Sequence, residues 1–477
     1  MVNDLSVLIE ACESKGREYE HLETLCLMFP GRISGSAILE SALDFLSKLG
    51  SEIMDLDMTI EPVRNVPQWV RGNSDSEILS FRISSEEGIW PKPNPSERTC
   101  RVLANGMSVG TGVEGVKGKI ISVAALEDLE KLPYSETQGA IVLYDWRHYT
   151  QYGLLSGPFR GNGANHAQKY GAVAVLIRSI APDGSTSGLH TGSMSPYDAE
   201  DGAIPAACVT QEDAELMTRL LKRGYKLEGN LTLPCRRFED KISRNIIFEI
   251  PGLTDEVVLI GGHTDSWECH HLGCQGAHDD GQGVVVCMES LRLIKECGLT
   301  PRRTIRAVLF VDEECRQTGA KAYYAARTDE ELAKITVCME TDLGAGPVIG
   351  FGFTGGDGGA AVMREVLAPL QALEASKTDK AQVNSNNKGM TSRCNVVNDE
   401  WSGYGVDTAP LVNEGGVPGI LLRHEDTWWF NDYFHHHHTA SDTIDHVDPA
   451  LLKLNLECVA AATWLCANTD KIIPRVV

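Results

Sequence analysis

From about residue 243 the chain alternates short, wholly apolar runs with longer amphipathic ones. No other feature constrains its fold as strongly. The runs NIIFEI, VVLIGGH, TIRAVLFV, ITVCMETD and GVPGILLR lack polar alternation. Strands of that kind are buried on both faces, which happens when helices cover both sides of a sheet. Between them GQGVVVCMESLRLIKECG reads as a helix, with Gly298 at its C-cap. Residues 355–376 and 448–470 read as further helices. This repetition predicts an α/β domain with a largely parallel sheet flanked by helices.

The 477 residues are enough for two or three domains. Residues 102–236 differ from what surrounds them, with shorter strands (GKIISVA, AIVLYDW, AVAVLIRS, AACVT) and many glycines. HAQKYG and TQEDAELMTRLLKRG read as helices between these strands. The expected division is 1–101 as the first part of a catalytic domain, 102–236 as a β-rich insert and 237–477 as the rest. In the first part, Ser34 or Ser36 is placed to cap a helix that Gly50 would stop. MDLDMTIEPV reads as a strand, and 377–403 reads as an exposed loop because it is polar and aperiodic.

Lys plus Arg number 43 against 66 Asp plus Glu, a net charge of −23. That balance argues against nucleic acid and against an anionic membrane surface as partners. No window approaches the ~18 uninterrupted apolar residues of a membrane span. The first residues lack a basic segment followed by an apolar one, so no signal peptide is visible. On this sequence the expectation is a cytoplasmic protein, with secreted or lysosomal as the alternative if the N-terminus is incomplete. The 14 cysteines are then expected to be mostly reduced and buried as small hydrophobes.

The residues that carry chemistry sit just beyond the apolar runs. His263 and Asp265 follow VVLIGG, and Asp279-Asp280 precede the helix at 283–297. Glu313-Glu314 follow TIRAVLFVD, Asp342 follows ITVCMET, and His438 lies in FHHHHTASDT. In open α/β sheets, ligands bind beyond the carboxyl ends of the strands. Each residue alone has a plain alternative, such as a helix cap or a solvated acid. Together they form an inventory for two zinc ions sharing a bridging carboxylate. His263 and Asp342 would serve one ion, Glu314 and His438 the other, and Asp279 would bridge. Asp265 would hold the His263 tautomer from behind. Glu313 is left over as a general acid/base. In the His435–His438 run, His438 is singled out by its place before Thr439 and near Asp442, and His435 and His436 are assigned to packing or to the rim of the site.

These residues resemble the zinc exopeptidases of the aminopeptidase and glutamate-carboxypeptidase superfamily, and most closely the carboxypeptidase Q family. The matching motifs are GGHTDSW, GAHDDG, the acidic pair of VDEECRQTGA, METD, GVPG and HTASDT. PGRISGS, EPVRNVPQWVRG, LIRSIAP, HTG and IPAACVTQEDAELM extend the resemblance over nearly the whole chain. The resemblance implies a zinc-peptidase domain with a mixed sheet, interrupted by a protease-associated domain. It implies two zincs held by His263, Asp279, Glu314, Asp342 and His438, with Glu313 as base. It also implies a cis peptide between Asp279 and Asp280, a homodimer, and dipeptides or other short peptides as substrates.

The chain departs from that pattern in places. ECHHLGCQGAH between Trp267 and Asp279 is longer than the family pattern and adds Cys269, His270, His271 and Cys274. A loop insertion accounts for it, with a metal or redox feature as the alternative. His437 stands where many relatives have tyrosine and is a candidate to polarise the scissile carbonyl. The sequon Asn230-Leu231-Thr232 matters only if the chain enters the secretory route. Competing readings are a non-catalytic binding protein like the transferrin receptors, a zinc acyltransferase of glutaminyl-cyclase type, and a thiol hydrolase. The last lacks a Cys/His/Asn pattern. Arg393 and Arg423 are candidates for binding a substrate carboxylate.

Overall fold

The computed structural model describes residues 2–146, 157–180, 188–269, 274–378, 395–399, 407–425 and 432–475. Helices α1 (Val2–Lys15), α2 (Glu18–Met28) and α3 (Ala37–Lys48) lead into strand β1 (Asp57–Val70). Strands β2 (Ile78–Ser85), β3 (Glu97–Ala104), β4 (Val116–Val123) and β5 (Ala140–Tyr144) follow, then helix α4 (Gly157–Lys169). Strands β6 (Ala174–Arg178) and β7 (Ala206–Val209), helix α5 (Gln211–Lys222) and strand β8 (Tyr225–Thr232) come next. The last part begins with β9 (Arg236–Ile250), β10 (Thr254–His263), α6 (Gln282–Glu296), β11 (Arg303–Phe310) and β12 (Ile335–Glu340). It ends with β13 (Val348–Phe353), α7 (Gly356–Thr378), β14 (Val396–Asn398), β15 (Gly419–His424) and α8 (Pro449–Asn468).

The main sheet has eight strands in the order β1-β9-β11-β10-β12-β15-β13-β14. Its centre, β11-β10-β12-β15, is parallel. β1-β9, β9-β11 and β13-β15 are antiparallel, so the sheet as a whole is mixed rather than largely parallel. β1 carries Pro62 and Pro67. It tolerates them as an edge strand, where the missing N–H groups cost no ladder bond. The apolar face of α6 packs against β10 and β11, and α8 packs across α6 and α1. By length and composition α8 could cross a membrane, but 72% of its apolar window is buried inside this core.

Local chemistry sets the helix ends. The Ser36 side chain accepts from Leu39 N and starts α3, while Asp448 caps α8 with Pro449 at its first turn. Gly50 does not stop α3, since the chain continues through a π-turn over Leu49–Ile53. What Gly50 provides is space. A Cβ there would meet the Phe248 ring at 2.2 Å. Gly50→Ala should therefore destabilise the chain by about 1–3 kcal/mol through overpacking, read as a lower urea midpoint.

Strands β2-β3-β7-β6-β5-β4-β8 close a barrel, and α5 lies against it. The barrel takes in β2 and β3, so the insert runs from Ile78 to Thr232 rather than over 102–236. The charged residues of 78–101 obscured this, because one face of β2 and β3 is exposed. Asn230 of the sequon sits within β8, opposite Ser80 and Lys117. The barrel core runs on into Ile33, Trp69, Trp267, Cys269 and Cys274 of the catalytic part. Trp267 fits because Gly106 has no side chain; a Cβ there would meet the indole at 1.9 Å. The EPVRNVPQWVRG motif works at the same junction. Trp69 Nε1 donates to Ser108 O (2.9 Å), and the fully buried Arg71 pairs with Glu77 (3.1 Å) and donates to Glu268 O (2.8 Å).

Candidate active site

Adjacent parallel strands deliver the acidic residues and His263. β10 ends at His263, β11 runs into Asp312–Glu314, and β12 ends two residues before Asp342. The loop before α6 brings Asp279 and the segment before α8 brings His438. All are buried except Glu313, which is half-buried.

The geometry centres on Asp279. Its Oδ1 lies 3.2 Å from His263 Nε2, and that nitrogen is also 3.2 Å from Asp342 Oδ1. Its Oδ2 lies 3.1 Å from His438 Nε2, which is 3.0 Å from Glu314 Oε2. One carboxylate thus faces two separate histidine–carboxylate pairs. Glu314 Oε1 is buried without any hydrogen-bond partner, and Asp279 Oδ2 has only the imidazoles of His437 and His438 beside it. Buried polar atoms are rarely left so. The donor set of imidazoles and carboxylates, with an orphaned oxygen, suits a divalent cation such as zinc.

The electrostatics agree. Burial alone disfavours a charged His263, yet the carboxylates of Asp342, Asp279 and Glu313 hold its pKa well above the usual value. Burial likewise pushes the carboxyls of Glu313 and Glu314 well up, reinforced by their acidic neighbours. Asp342 is pushed up to about 7, first by burial and then by Asp279 and Glu340. Metal ions would relieve this crowding of acids.

The supporting residues explain the motifs. Asp442 of HTASDT accepts from the backbone of Ala277 (3.1 Å), His278 (2.8 Å) and Asp279 (3.2 Å), so it fixes the segment that carries Asp279. The Asp279–Asp280 peptide is cis. Asp280 accepts from His263 N (3.1 Å) and Gly283 N (3.1 Å), tying β10 to the start of α6. A Cβ on Gly262 would meet Asp280 Oδ2 at 2.6 Å, which accounts for the second glycine of GGH. Arg32 of PGRISGS is fully buried and donates to Thr264 O (2.8 Å), Gln275 O (2.6 Å) and Gly276 O (3.1 Å).

Asp265 acts differently from the expectation. The His263 Nδ1 contact goes to the main-chain oxygen of Asp265 (3.1 Å), while its carboxylate stands 3.7 Å away. That carboxylate instead accepts from Glu313 N (3.1 Å), Glu314 N (3.2 Å) and Ser34 Oγ (2.9 Å). It holds the turn that presents the acidic pair. The short helix Glu313–Arg316 is flanked by Asp312 and Gln317, both in the left-handed region, as is His438. Such non-glycine residues carry strain that surrounding contacts must hold, and they cluster at functional sites.

His437 stacks on His438, with ring centroids 3.6 Å apart, and its Nε2 is 3.4 Å from Asp279 Oδ2. Burial holds its pKa well below the usual value. His436 packs against His446, centroids 4.1 Å apart, away from the cluster. Cys269 and Cys274 are buried with their thiols against one another, and Cys269 Sγ is 3.7 Å from His438 O. The described cysteines are all thiols, with no disulfide among them. His270, His271, Arg393 and most of the 377–403 loop lie outside the described residues, while Val396–Asn398 forms the edge strand β14. Arg423 lies within β15, opposite Gly350.

Three contributors escaped the sequence reading. Thr191 of the barrel domain donates to His438 O (3.0 Å), and its own oxygen lies 3.3 Å from His438 Nδ1. Arg160 stands 3.4 Å from the same nitrogen. Asp407 is buried with both carboxylate oxygens unpartnered, and its backbone N donates to Glu340 (3.1 Å). The HTG motif pointed to the 190–192 loop, but no sequence spacing links it to His438.

The chain is 34% identical to carboxypeptidase Q of Rattus norvegicus over 97% of its own length and 87% of the relative. The human carboxypeptidase Q is 32% identical, with 97% and 88% covered. The chain belongs to the carboxypeptidase Q family. The model for peptidase family M28 matches residues 245–463, and that for the PA domain matches 106–217. The crystal structure of a peptidase M28 precursor from Shewanella amazonensis SB2B superimposes with a TM-score of 0.81 at 30% identity, covering 100% of this chain and 98% of the other. BSAP, a zinc aminopeptidase from Bacillus subtilis, shares the fold with a TM-score of 0.62 at 19% identity, covering 96% and 97%. The chain is thus a metallo-exopeptidase with a protease-associated domain, and neither the binding-protein nor the cyclase-type reading is favoured.

Asp442→Ala should weaken metal binding about 10–100-fold while leaving the side-chain ligands in place, because ligand orientation rests on such outer contacts. Competition with a chromogenic chelator would measure this, and an unchanged affinity would refute the positioning role.

Proposed function

We propose that this family member is a two-zinc exopeptidase acting on dipeptides and other short peptides, with Glu313 as its proton carrier. The observation that carries the reading is the split of Asp279, with one oxygen toward His263 and Asp342 and the other toward His438 and Glu314. In this reading His263 and Asp342 hold one zinc, Glu314 and His438 the other, and Asp279 spans both. Zinc, when bound, supplies an activated water and polarises the scissile carbonyl.

The chain's own residues do the rest. Glu313 is half-buried, and its Oε1 accepts from Gln317 Nε2 (3.1 Å), which orients it. It takes a proton from the attacking water and delivers it to the leaving nitrogen. His437, kept neutral, donates to the oxygen that gains charge in the transition state. The Asp265 carboxylate keeps Glu313 and Glu314 in register through their backbone amides. The resemblance to a dimeric family supports a homodimer as part of the same reading.

The test is metal content on protein purified without an immobilised-metal column, followed by dipeptide assays. About two zincs per chain and dipeptide hydrolysis lost on chelation are expected. One tightly held ion, or no dipeptide hydrolysis by the metal-loaded chain, would overturn the reading.

A further inference from the structure

We propose that Cys269 and Cys274 close into a disulfide when the chain folds in an oxidising compartment, and that this bond braces the loop carrying His438. The bond follows from side-chain placement alone; its effect on metal rests on the two-zinc reading above.

The segment CHHLGC begins and ends in cysteine and lies in the stretch that exceeds the family pattern. The fold returns its two ends to one another. Both cysteine side chains are buried in one apolar cluster with Ile33, Trp69 and Trp267. Their thiols are hydrogen-bonded to each other. Buried cysteines serve elsewhere in cores as small hydrophobes. That role does not ask two of them to meet sulfur to sulfur. Sulfurs in hydrogen-bond contact can close to the S–S length of about 2.05 Å by turning about their side-chain torsions.

Both ends of the segment hold the histidine loop. Cys269 Sγ lies 3.7 Å from His438 O. Gln275, next to Cys274, donates its N to Asp442 O (2.7 Å) and accepts from Ile444 N through Oε1 (2.8 Å). The same end is anchored to the PGRISGS loop. Gly31 N donates to Cys274 O (2.9 Å), and Arg32 Nη1 donates to Gln275 O (2.6 Å). A cross-link between residues 269 and 274 therefore joins the contact at His438 to those at Asp442 and Ile444. It limits how far the two ends of that loop can part. What it gives up is the weak S–H donation to His438 O.

The bond needs an external oxidant, and a small-molecule disulfide such as oxidised glutathione supplies it. One cysteine thiolate attacks a sulfur of the glutathione disulfide, whose S–S bond breaks and releases one glutathione. The second cysteine thiolate then attacks the protein sulfur of the mixed disulfide and expels the other glutathione. The two cysteines are oxidised, the glutathione disulfide is reduced, and the two thiol protons end on the two glutathiones. In the packed protein the pair is a poor nucleophile, because the Cys269 thiol and then burial push the Cys274 thiol well up. Exchange therefore belongs to folding, before the barrel core covers both sulfurs.

The experiment folds the full-length chain in a buffer of reduced and oxidised glutathione, or in a phosphine reductant alone, and loads both products with zinc. Protein made in oxidising and reducing expression hosts replaces them where refolding fails. In the oxidised product two of the 14 thiols should resist alkylation in denaturant, and peptide mapping should join Cys269 to Cys274. A chelator should strip zinc from it several-fold more slowly than from the reduced product, with about 30-fold as the ceiling for so short a loop. Cys274→Ser should lose zinc equally fast in both buffers and keep Cys269 open to alkylation. All 14 thiols reactive in the oxidised, folded chain would overturn the proposal, as would a third metal ion held by the pair. So would a mapped bond with equal zinc loss from the two products, since the bond would then brace nothing at His438. A chain that binds no zinc in either state would overturn the two-zinc reading instead, while the peptide map would still decide the bond. The map is made on the parent chain, so it stands even if Cys274→Ser fails to fold.

Discussion

Glu313→Gln is expected to lose at least about 100-fold in kcat while keeping its metal, because proton transfer by a positioned side chain contributes that much or more. The substitution preserves shape and keeps an oxygen able to accept from Gln317 Nε2. It also leaves the backbone amide of residue 313 on Asp265 (3.1 Å). What it removes is the ability to carry a proton. Stability should not fall. Burial pushes the Glu313 carboxyl well up in the metal-free chain, so at neutral pH ionising it opposes folding. The metal-free variant should therefore be at least as stable at neutral pH as the metal-free parent, and the difference should vanish in acid. Steady-state rates, elemental analysis and calorimetry check these points. Retained activity would remove Glu313 from the mechanism.

Asp279→Asn should lower metal content at both positions, from about two ions per chain to below one after dialysis. Oδ1 and Oδ2 of Asp279 each face a different histidine, at 3.2 and 3.1 Å. Asparagine replaces one of these oxygens with an NH2 group, which cannot ligate, and removes the charge shared by both positions. The backbone should hold, because Asp442 grips the amides of residues 277–279 whatever the side chain is. Loss at one position only would assign Asp279 to a single metal, and unchanged content would exclude it as a ligand.

The catalytic half was readable because its strands are buried on both faces. Runs such as VVLIGG and ITVCMET have no other stable home, and residues just beyond them must lie at one edge of the sheet. The insert was harder to delimit. β2 and β3 expose one face, so residues such as Arg82 and Glu97 read as surface rather than barrel. The sheet's mixed character was likewise hidden, since strand direction is not written in apolar pattern. Gly50 resembled a helix stop because glycine usually is one, whereas here it makes room for the Phe248 ring.

The same division holds at the site. Residue type and position beyond the strands were enough to nominate His263, Asp279, Glu313, Glu314, Asp342 and His438, because so many carboxylates and imidazoles gathered at one sheet edge outweigh the plain reading each has alone. Second contacts were not available in this way. Asp265 looked like a partner for the His263 ring from its spacing of two, but it lies beyond the end of β10, where its carboxylate accepts from the amides of the Glu313–Glu314 turn. Arg160 and Thr191 belong to another domain, more than two hundred residues from His438 in sequence. The sequence by itself determined the chemistry and the scaffold, since burial pattern and side-chain type are local properties. Only the tertiary structure decided which groups orient the ligands, since that depends on how two domains pack.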